Sequence, residues 1–342
     1  MLIRVPDYYD NFRCLAGACP HTCCEKWEVV LDDDTVRRYE GVPGPLGDRL
    51  RAAMREDEGG DVCFPLNGGR CPFLDWDNLC EIHRQLGEAA TSVTCREHPR
   101  FTEDYGPFRE ITLCASCPAA NALLLGSDNP LTFPERETPE AGEAGDDWLP
   151  CLLPLRTRLL DILADRSLPL RRRLRDFLLL AWDAQGYLDE EQASELPALV
   201  SDWTPPEDAV QPAEAPPLFP GGLRFLETLE TLDDDWPALL RQAETAPAAP
   251  VPEPPLERIA VYFAFRYLLK AINDGDLLSR AELCVFAVLT VERLAVVCGL
   301  PEALRRFSCE IEHDEDNLDA LLDAFYQGDV VSLPQLLAAL ES

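Results

Sequence analysis

Ten of the chain's fourteen cysteines fall between Cys14 and Cys117, and four of them sit in one burst, Cys14-Leu-Ala-Gly-Ala-Cys19-Pro-His-Thr-Cys23-Cys24. Thiols packed this densely into a third of a chain either close a disulfide framework or hold a metal. Both staple short, loop-rich segments, but in different compartments. The surrounding sequence favours metal. The first ten residues have no apolar run after Arg4 and no small-residue cleavage site, so they do not read as a secretory signal. No apolar stretch is long enough to span a bilayer; the richest, Ala260 to Ile272, is broken by Arg266 and Lys270. The expected location is therefore cytoplasmic, where thiols stay reduced and clustered cysteines act as ligands or reactive groups. Disulfide scaffolds also belong to small domains, whereas 342 residues with 46% hydrophobic content bury a sizeable core.

Charge narrows the partners. With 62 acidic and 30 basic residues the formal charge is −32, a field that opposes nucleic acid and anionic membrane surfaces alike. A cationic partner such as a lysine-bearing protein surface is attracted, although the same charge also serves simple solubility. Only Lys26 and Lys270 are lysines, so nearly every cation is arginine.

Three regions separate by composition. Residues 1–125 hold the cysteine-rich part and three of the four histidines, His21, His83 and His98. Residues 126–150 form an acidic connector rich in Pro, Glu and Gly. Residues 151–342 carry helical periodicity, with proline-rich breaks near 204–220 and 246–255, the second of which is expected to be loop or extended linker. Within the first region a helix is predicted from Thr35 through Met54, split at Gly41-Val-Pro-Gly-Pro45. Further on, Leu256 to Asn273 is apolar almost all round and reads as a core helix. Ser279, with Glu282 three residues later, reads as a capping box opening a helix through Val297 that Gly299 and Pro301 stop. Helices are also predicted over Glu302 to Phe307, Glu315 to Gln327 and Ser332 to Leu340. The fold class is mainly α: a cysteine-rich region of loops and short helices packed on a helical region.

Four thiolates suit an iron–sulfur cluster or tetrahedral zinc, and residue types alone do not separate the two. In the burst, Cys19 and Cys23 lie four apart and would share one face of a helical turn. Further donors arrive in Cys71 to His83, in Thr94-Cys95-Arg96-Glu-His98-Pro-Arg100 and in Cys114-Ala-Ser-Cys117. The leading ligand candidates are Cys19, Cys23, Cys80 and Cys95, followed by Cys14, Cys24 and Cys71. Ten cysteines exceed the need of one cluster, so some are merely buried or two metal sites exist. Only Cys114 and Cys117 have knuckle spacing, which disfavours a zinc ribbon. A radical S-adenosylmethionine signature fails because its third cysteine would fall at Lys26, and no Gly-x-Gly-x-x-Gly follows a strand. His21, His83 and His98 are ligands or, as imidazoles more commonly are, hydrogen-bonded partly buried residues. Arg96 and Arg100 either neutralise an anionic group or form surface ion pairs. Cys151, Cys284, Cys298 and Cys309 read as small core residues.

These residues carry a resemblance. Tyr8-Tyr-Asp-Asn-Phe12-Arg-Cys14, the run to Cys23-Cys24 and Trp27-Glu-Val-Val resemble the opening of the flagellin lysine-N-methylase (FliB-type) family, among cysteine-rich proteins described as zinc- or iron-chelating. Cys71-Pro-Phe-Leu-Asp75, Leu79-Cys80-Glu-Ile-His83, Leu86-Gly87 and Thr94 to Arg100 continue the likeness in order. Tyr262 to Ala271, Asp274-Gly-Asp-Leu277, Glu310-Ile-Glu-His313 and Asn317 extend it into the C-terminal half; residues 125 to 255 add little. The resemblance implies an enzyme that methylates lysine ε-amines on flagellin, using S-adenosylmethionine and a [4Fe-4S] cluster. An open iron holding the amino and carboxylate groups of the donor would leave three cysteine ligands. A lysine is inert as an ammonium, so such an enzyme must present a neutral amine; no residue reads as its base, and His313 and Asn317 read either as active-site residues reaching across the domain boundary or, as the commoner role, as helix caps. The alternatives are a zinc-stabilised interaction module without catalysis, or a protein that handles iron or zinc.

Overall fold

The computed structural model describes residues 1–26, 28–57, 59–206, 215–328 and 330–341. Trp27, part of the opening motif, and residues 207–214 of the first proline-rich break lie outside them. The described chain is mainly helical, with fifteen α-helices and seven short strands. The strands are β1 (Leu2–Arg4), β2 (Val29–Val30), β3 (Arg55–Glu56), β4 (Val62–Phe64), β5 (Arg100–Asp104), β6 (Phe108–Leu113) and β7 (Glu135–Glu137). They make two sheets, ordered β5-β6-β1-β7 and β2-β4-β3.

The first sheet ties the chain's N-terminus to distant segments. β1 runs parallel to β6, with Leu2 opposite Phe108, and antiparallel to β7, with Leu2 opposite Glu137. The acidic connector thus contains a strand that composition did not show. Three-residue strands carry too little alternation to be read from sequence. Along β6, Phe108, Glu110 and Thr112 point inward. A buried carboxylate needs a partner, and Glu110 takes two bonds from Arg156 at 2.5 and 2.6 Å, with Arg4 at 3.3 Å. Arg156 stands on the Leu149–Ala164 helix, so this pair locks the sheet to the helical body.

The helical body is built around Glu253–Tyr267 and Leu278–Cys298, whose residues are buried on nearly every face up to Leu294. That matches the apolar-all-round pattern. Leu149–Ala164, Leu170–Asp189, Leu300–Glu312 and Glu315–Gln327 pack around them. Several boundaries differ from expectation for one reason: proline is compatible with a first helical turn, where its missing N–H is not needed. Pro254 and Pro255 begin the Glu253–Tyr267 helix rather than end a linker, Pro301 opens Leu300–Glu312, and Pro45 lies in the first turn of Gly44–Ala53. The capping box at Ser279 is also corrected. The Ser279 amide donates to Asp276 at 3.1 Å, and Gln185 Oε1 accepts from Leu277 and Leu278, while Glu282 is buried. Gly299, at φ 82°, does end that helix.

Two apolar cores result. The larger joins the helices to Tyr8, Phe12, Phe108, Leu113 and Leu124. The smaller gathers Val29, Leu31, Tyr39, Leu46, Leu50, Phe64, Cys71, Phe73 and Ile82. The cysteine burst crosses between them. Among the described residues no helix is long and apolar enough to cross a membrane.

Candidate active site

Residues 12–26 form a strap with one 3₁₀ turn, Ala16–Ala18, and left-handed backbone at Ala16 (φ 48°) and Lys26 (φ 79°). Cys19 and Cys23 are therefore not on a shared helical face, which corrects the spacing argument. Pro20 and the proximity of other segments hold the chain out of helix. Two contacts fasten the strap to the helical body: an ion pair, Lys26 Nζ 2.7 Å from Asp233, and the His21 ring, whose Nε2 lies 3.7 Å from Glu302. Asp233 is itself set by the EIEH segment. Glu310 accepts from the Leu232 and Asp233 amides at 2.9 and 2.8 Å, and Asn317 bonds both the N–H and the carbonyl of Glu230. Asn317 is thus a loop staple; the helix cap is Asp314, which accepts from the Asn317 amide at 3.0 Å.

The strap covers a cavity of about 560 Å³ between the two cores, within the range of small-molecule sites. Six of the seven ligand candidates line it: Cys14, Cys19, Cys23, Cys24, Cys80 and Cys95. Cys71 does not. Its thiol is buried in the smaller core, against which Cys24 and Cys80 also pack; burial first, then the nearby Cys24, Cys95 and Cys80, pushes it up to about 12. Cys80 Sγ accepts from the His83 amide at 3.5 Å, where it opens the Glu81–Leu86 helix. A hydrogen bond from Cys23 draws the Cys24 thiol down to about 7, while Cys23 is raised. His83, His98, Arg96 and Arg100 also face the cavity. Arg96 donates to the Thr91 carbonyl, and Arg100 donates to the Tyr9 hydroxyl at 3.0 Å. Among the described residues, no three Cys, His, Asp or Glu side chains converge closely enough to hold a single ion. The thiols instead surround a space.

Cys95 is placed by the short Val93–Glu97 helix, whose Val93 amide donates to Asp32 at 2.9 Å. Asp32 also caps Asp33–Glu40 through the Thr35 amide at 3.0 Å. Burial opposes ionisation of Asp32, but these accepted bonds outweigh it and hold the carboxyl at about 2. A folded-state value below the usual 3.8 gives stability that is present above that value and lost as pH falls through about 2. Asp32→Ala is expected to destabilise by about 1–2 kcal/mol at neutral pH. In denaturant titrations the gap from the parent protein should close between about pH 5 and pH 2; a gap that persists at pH 2 would remove the carboxylate from the account.

The inner wall joins Cys114, Cys117 and His313, all singled out in the sequence, to Ser116, Ser308 and Glu312, whose roles the sequence did not show. Cys117 and Ser116 line the cavity just before the Pro118–Leu125 helix. Ser116 Oγ lies 2.5 Å from His313 Nε2 and 3.1 Å from Cys114 Sγ; Cys114 in turn meets Ser308 Oγ at 3.3 Å and His313 Nε2 at 3.5 Å. Behind them stands Glu312, its side chain fully enclosed. It accepts from the Tyr262 hydroxyl at 3.0 Å, the Tyr267 hydroxyl at 3.0 Å and Ser308 Oγ, and it pairs with Arg266 Nε at 3.0 Å. Enclosure pushes His98 down to about 3 and His313 to about 4, against the pull of Glu312 on the latter. Both imidazoles are neutral at neutral pH. The four-residue spacings Tyr262/Arg266 and Ser308/Glu312, each one turn on a buried helix, were the available signal.

No model of a known protein family matches this chain, and no solved structure matches it. Curated proteins do. A flagellar biosynthetic protein FliU from Salmonella muenchen is 27% identical over 142 residues, covering 40% of this chain and 84% of that protein. Lysine-N-methylases from Salmonella choleraesuis and Salmonella typhimurium are each 28% identical over 140 residues, covering 39% of this chain and 35% of theirs. The chain therefore spans about a third of the methylases it matches. The resemblance read from the spaced motifs is borne out: this chain is similar to proteins named lysine-N-methylase and to a flagellar biosynthetic protein.

Proposed function

We propose that the cysteine-lined cavity is the site of a protein lysine N-methyltransferase acting on flagellin. The observation that carries this reading is the cavity itself: six candidate ligands ring one space whose inner wall opens onto Ser116, His98 and the network behind them. The relatives' names supply the reaction class, and the −32 charge suits a lysine-bearing protein partner. The donor set fits a thiolate-held [4Fe-4S] cluster. Thiols spread around a cavity suit a multi-atom cluster, whereas one zinc needs its ligands already gathered at about 2.3 Å from a single point.

Cys19, Cys23, Cys80 and Cys95 would hold the cluster, with Cys14 and Cys24 beside them. When bound, S-adenosylmethionine supplies an electrophilic methyl group, and the cluster supplies a Lewis-acidic iron. The chain's own part is to close the site and receive the amine. The strap, tied down at Lys26 and His21, lines one side of the cavity. Arg96 and Arg100 bring positive charge to the wall, where an anionic cluster or a carboxylate is favoured.

Protein purified without oxygen is expected to carry about four irons per chain and to transfer label from S-adenosylmethionine to flagellin lysines. Stoichiometric zinc with no methyl transfer would replace this reading by that of a non-catalytic zinc module.

A further inference from the structure

We propose that Ser116 Oγ, backed by His313 and flanked by His98, forms a subsite for a neutral primary alkyl amine. It holds the nitrogen as a hydrogen-bond donor and leaves its lone pair facing the open cavity. The identity of that amine as a lysine side chain rests on the methyltransferase reading; the subsite does not.

The geometry restricts what the inner wall can bind. Ser116 is 7% exposed, yet it lines the cavity, and its hydroxyl is 2.5 Å from His313 Nε2. With His313 as its Nδ1–H tautomer, the single Ser116 hydroxyl proton goes to Nε2 and the Oγ lone pairs are left as acceptors toward the cavity. The wall thereby offers an acceptor, and an N–H group is its natural partner. An anionic ligand is disfavoured because the Glu312 carboxylate stands directly behind. A cation is disfavoured by dehydration and by the buried Arg266 guanidinium, 3.6 Å from the centre of the Phe101 ring, which itself lies 6.1 Å from the His313 ring. The groups facing the His313 imidazole are His98 with ring centres 5.8 Å away, Cys114, Ser116, Glu312 and Arg266. With both imidazoles neutral, neither ring competes for the lone pair.

The same contacts fix the charge state of the guest. The amine therefore sheds its proton to solvent before it enters, and the wall holds it through one N–H donated to Ser116 Oγ.

The test needs no turnover. The metal-loaded protein is titrated with n-butylamine while the histidine ring nitrogens are followed by NMR from pH 7.5 to 9.5. His313 and His98 signals are expected to shift saturably. The apparent affinity should rise about tenfold per pH unit, because only the neutral fraction of an amine with pKa near 10.4 binds. Ser116→Ala should weaken binding at least about tenfold while iron content stays unchanged, the loss of one buried hydrogen bond being about 1.4 kcal/mol. His313→Gln, which keeps an acceptor for the Ser116 hydroxyl, should retain binding. Unmoved histidine signals, pH-independent affinity, or iron loss in Ser116→Ala would each overturn the subsite. Saturable, pH-dependent amine binding in a protein that never methylates flagellin would uphold the subsite and discard the methyltransferase reading.

Discussion

Replacing Glu312 with alanine is expected to lower the unfolding free energy by about 3–5 kcal/mol, the loss typical when one partner of a buried ion pair is removed. Three hydroxyls and a guanidinium converge on this side chain, from Tyr262, Tyr267, Ser308 and Arg266. Without it, Arg266 stays buried against Phe101 with its charge uncompensated, and two phenols lose their acceptor. Domains of this kind have a total stability of about 5–15 kcal/mol, so the variant stands near the threshold of folding. Glu312→Gln keeps an acceptor oxygen and should lose less. Denaturant titration decides: the midpoint should fall with little change in slope. A loss under about 1 kcal/mol would place the balancing charge for Arg266 elsewhere and leave Glu312 as one hydrogen-bond partner among several.

The helical half was legible in the sequence because its helices are long and buried. Leu278–Cys298 differs from the predicted Ser279–Val297 by one residue at each end. Its cap was misassigned because Ser279 and Glu282 have capping-box spacing, while the groups that actually serve the helix start include Gln185, over ninety residues away in sequence. β1 and β7 escaped notice because each has only three residues and gains its partner from afar, β1 pairing with both β6 and β7. For the site, the clustering of thiols was readable and their orientation was not. Helical spacing misled at Cys19 and Cys23 because the strap is irregular, and nothing local marks Cys71 as a residue of the smaller core. The inner wall was out of reach for a plainer reason. Ser116 and His313 are 197 residues apart, and Tyr262 and Glu312 are 50 apart, so only the folded chain makes them neighbours. The likeness to known motifs pointed at both stretches without saying that they meet.

Serine substitutions at the cavity should divide the cysteines into two groups. Cys19→Ser, Cys23→Ser, Cys80→Ser and Cys95→Ser each expose a harder, less acidic donor to the same space, and thiolate is what holds iron in such clusters. Each is expected to lose most of its iron and more than about 100-fold of its methyl transfer. Changes to groups merely supporting a ligand already lower metal affinity or activity about 10–100-fold. Cys71→Ala should behave differently: it keeps iron and lowers stability, because its thiol packs with Phe64, Phe73 and Ile82 and lies off the cavity. Cys284→Ala should keep both iron and activity, since that thiol sits inside the Leu278–Cys298 helix and donates to the Arg280 carbonyl at 3.0 Å. The two groups can be told apart by iron content alone, before any activity is measured. If Cys71→Ala empties the site while Cys95→Ser leaves it full, the ligands come from the smaller core and the cavity is lined by bystanders. If every cavity variant keeps its iron, the metal lies elsewhere and the thiols serve another purpose. Loss confined to the cavity set would make the strap and its contacts with Asp233 and Glu302 the elements that decide how tightly a cluster is enclosed.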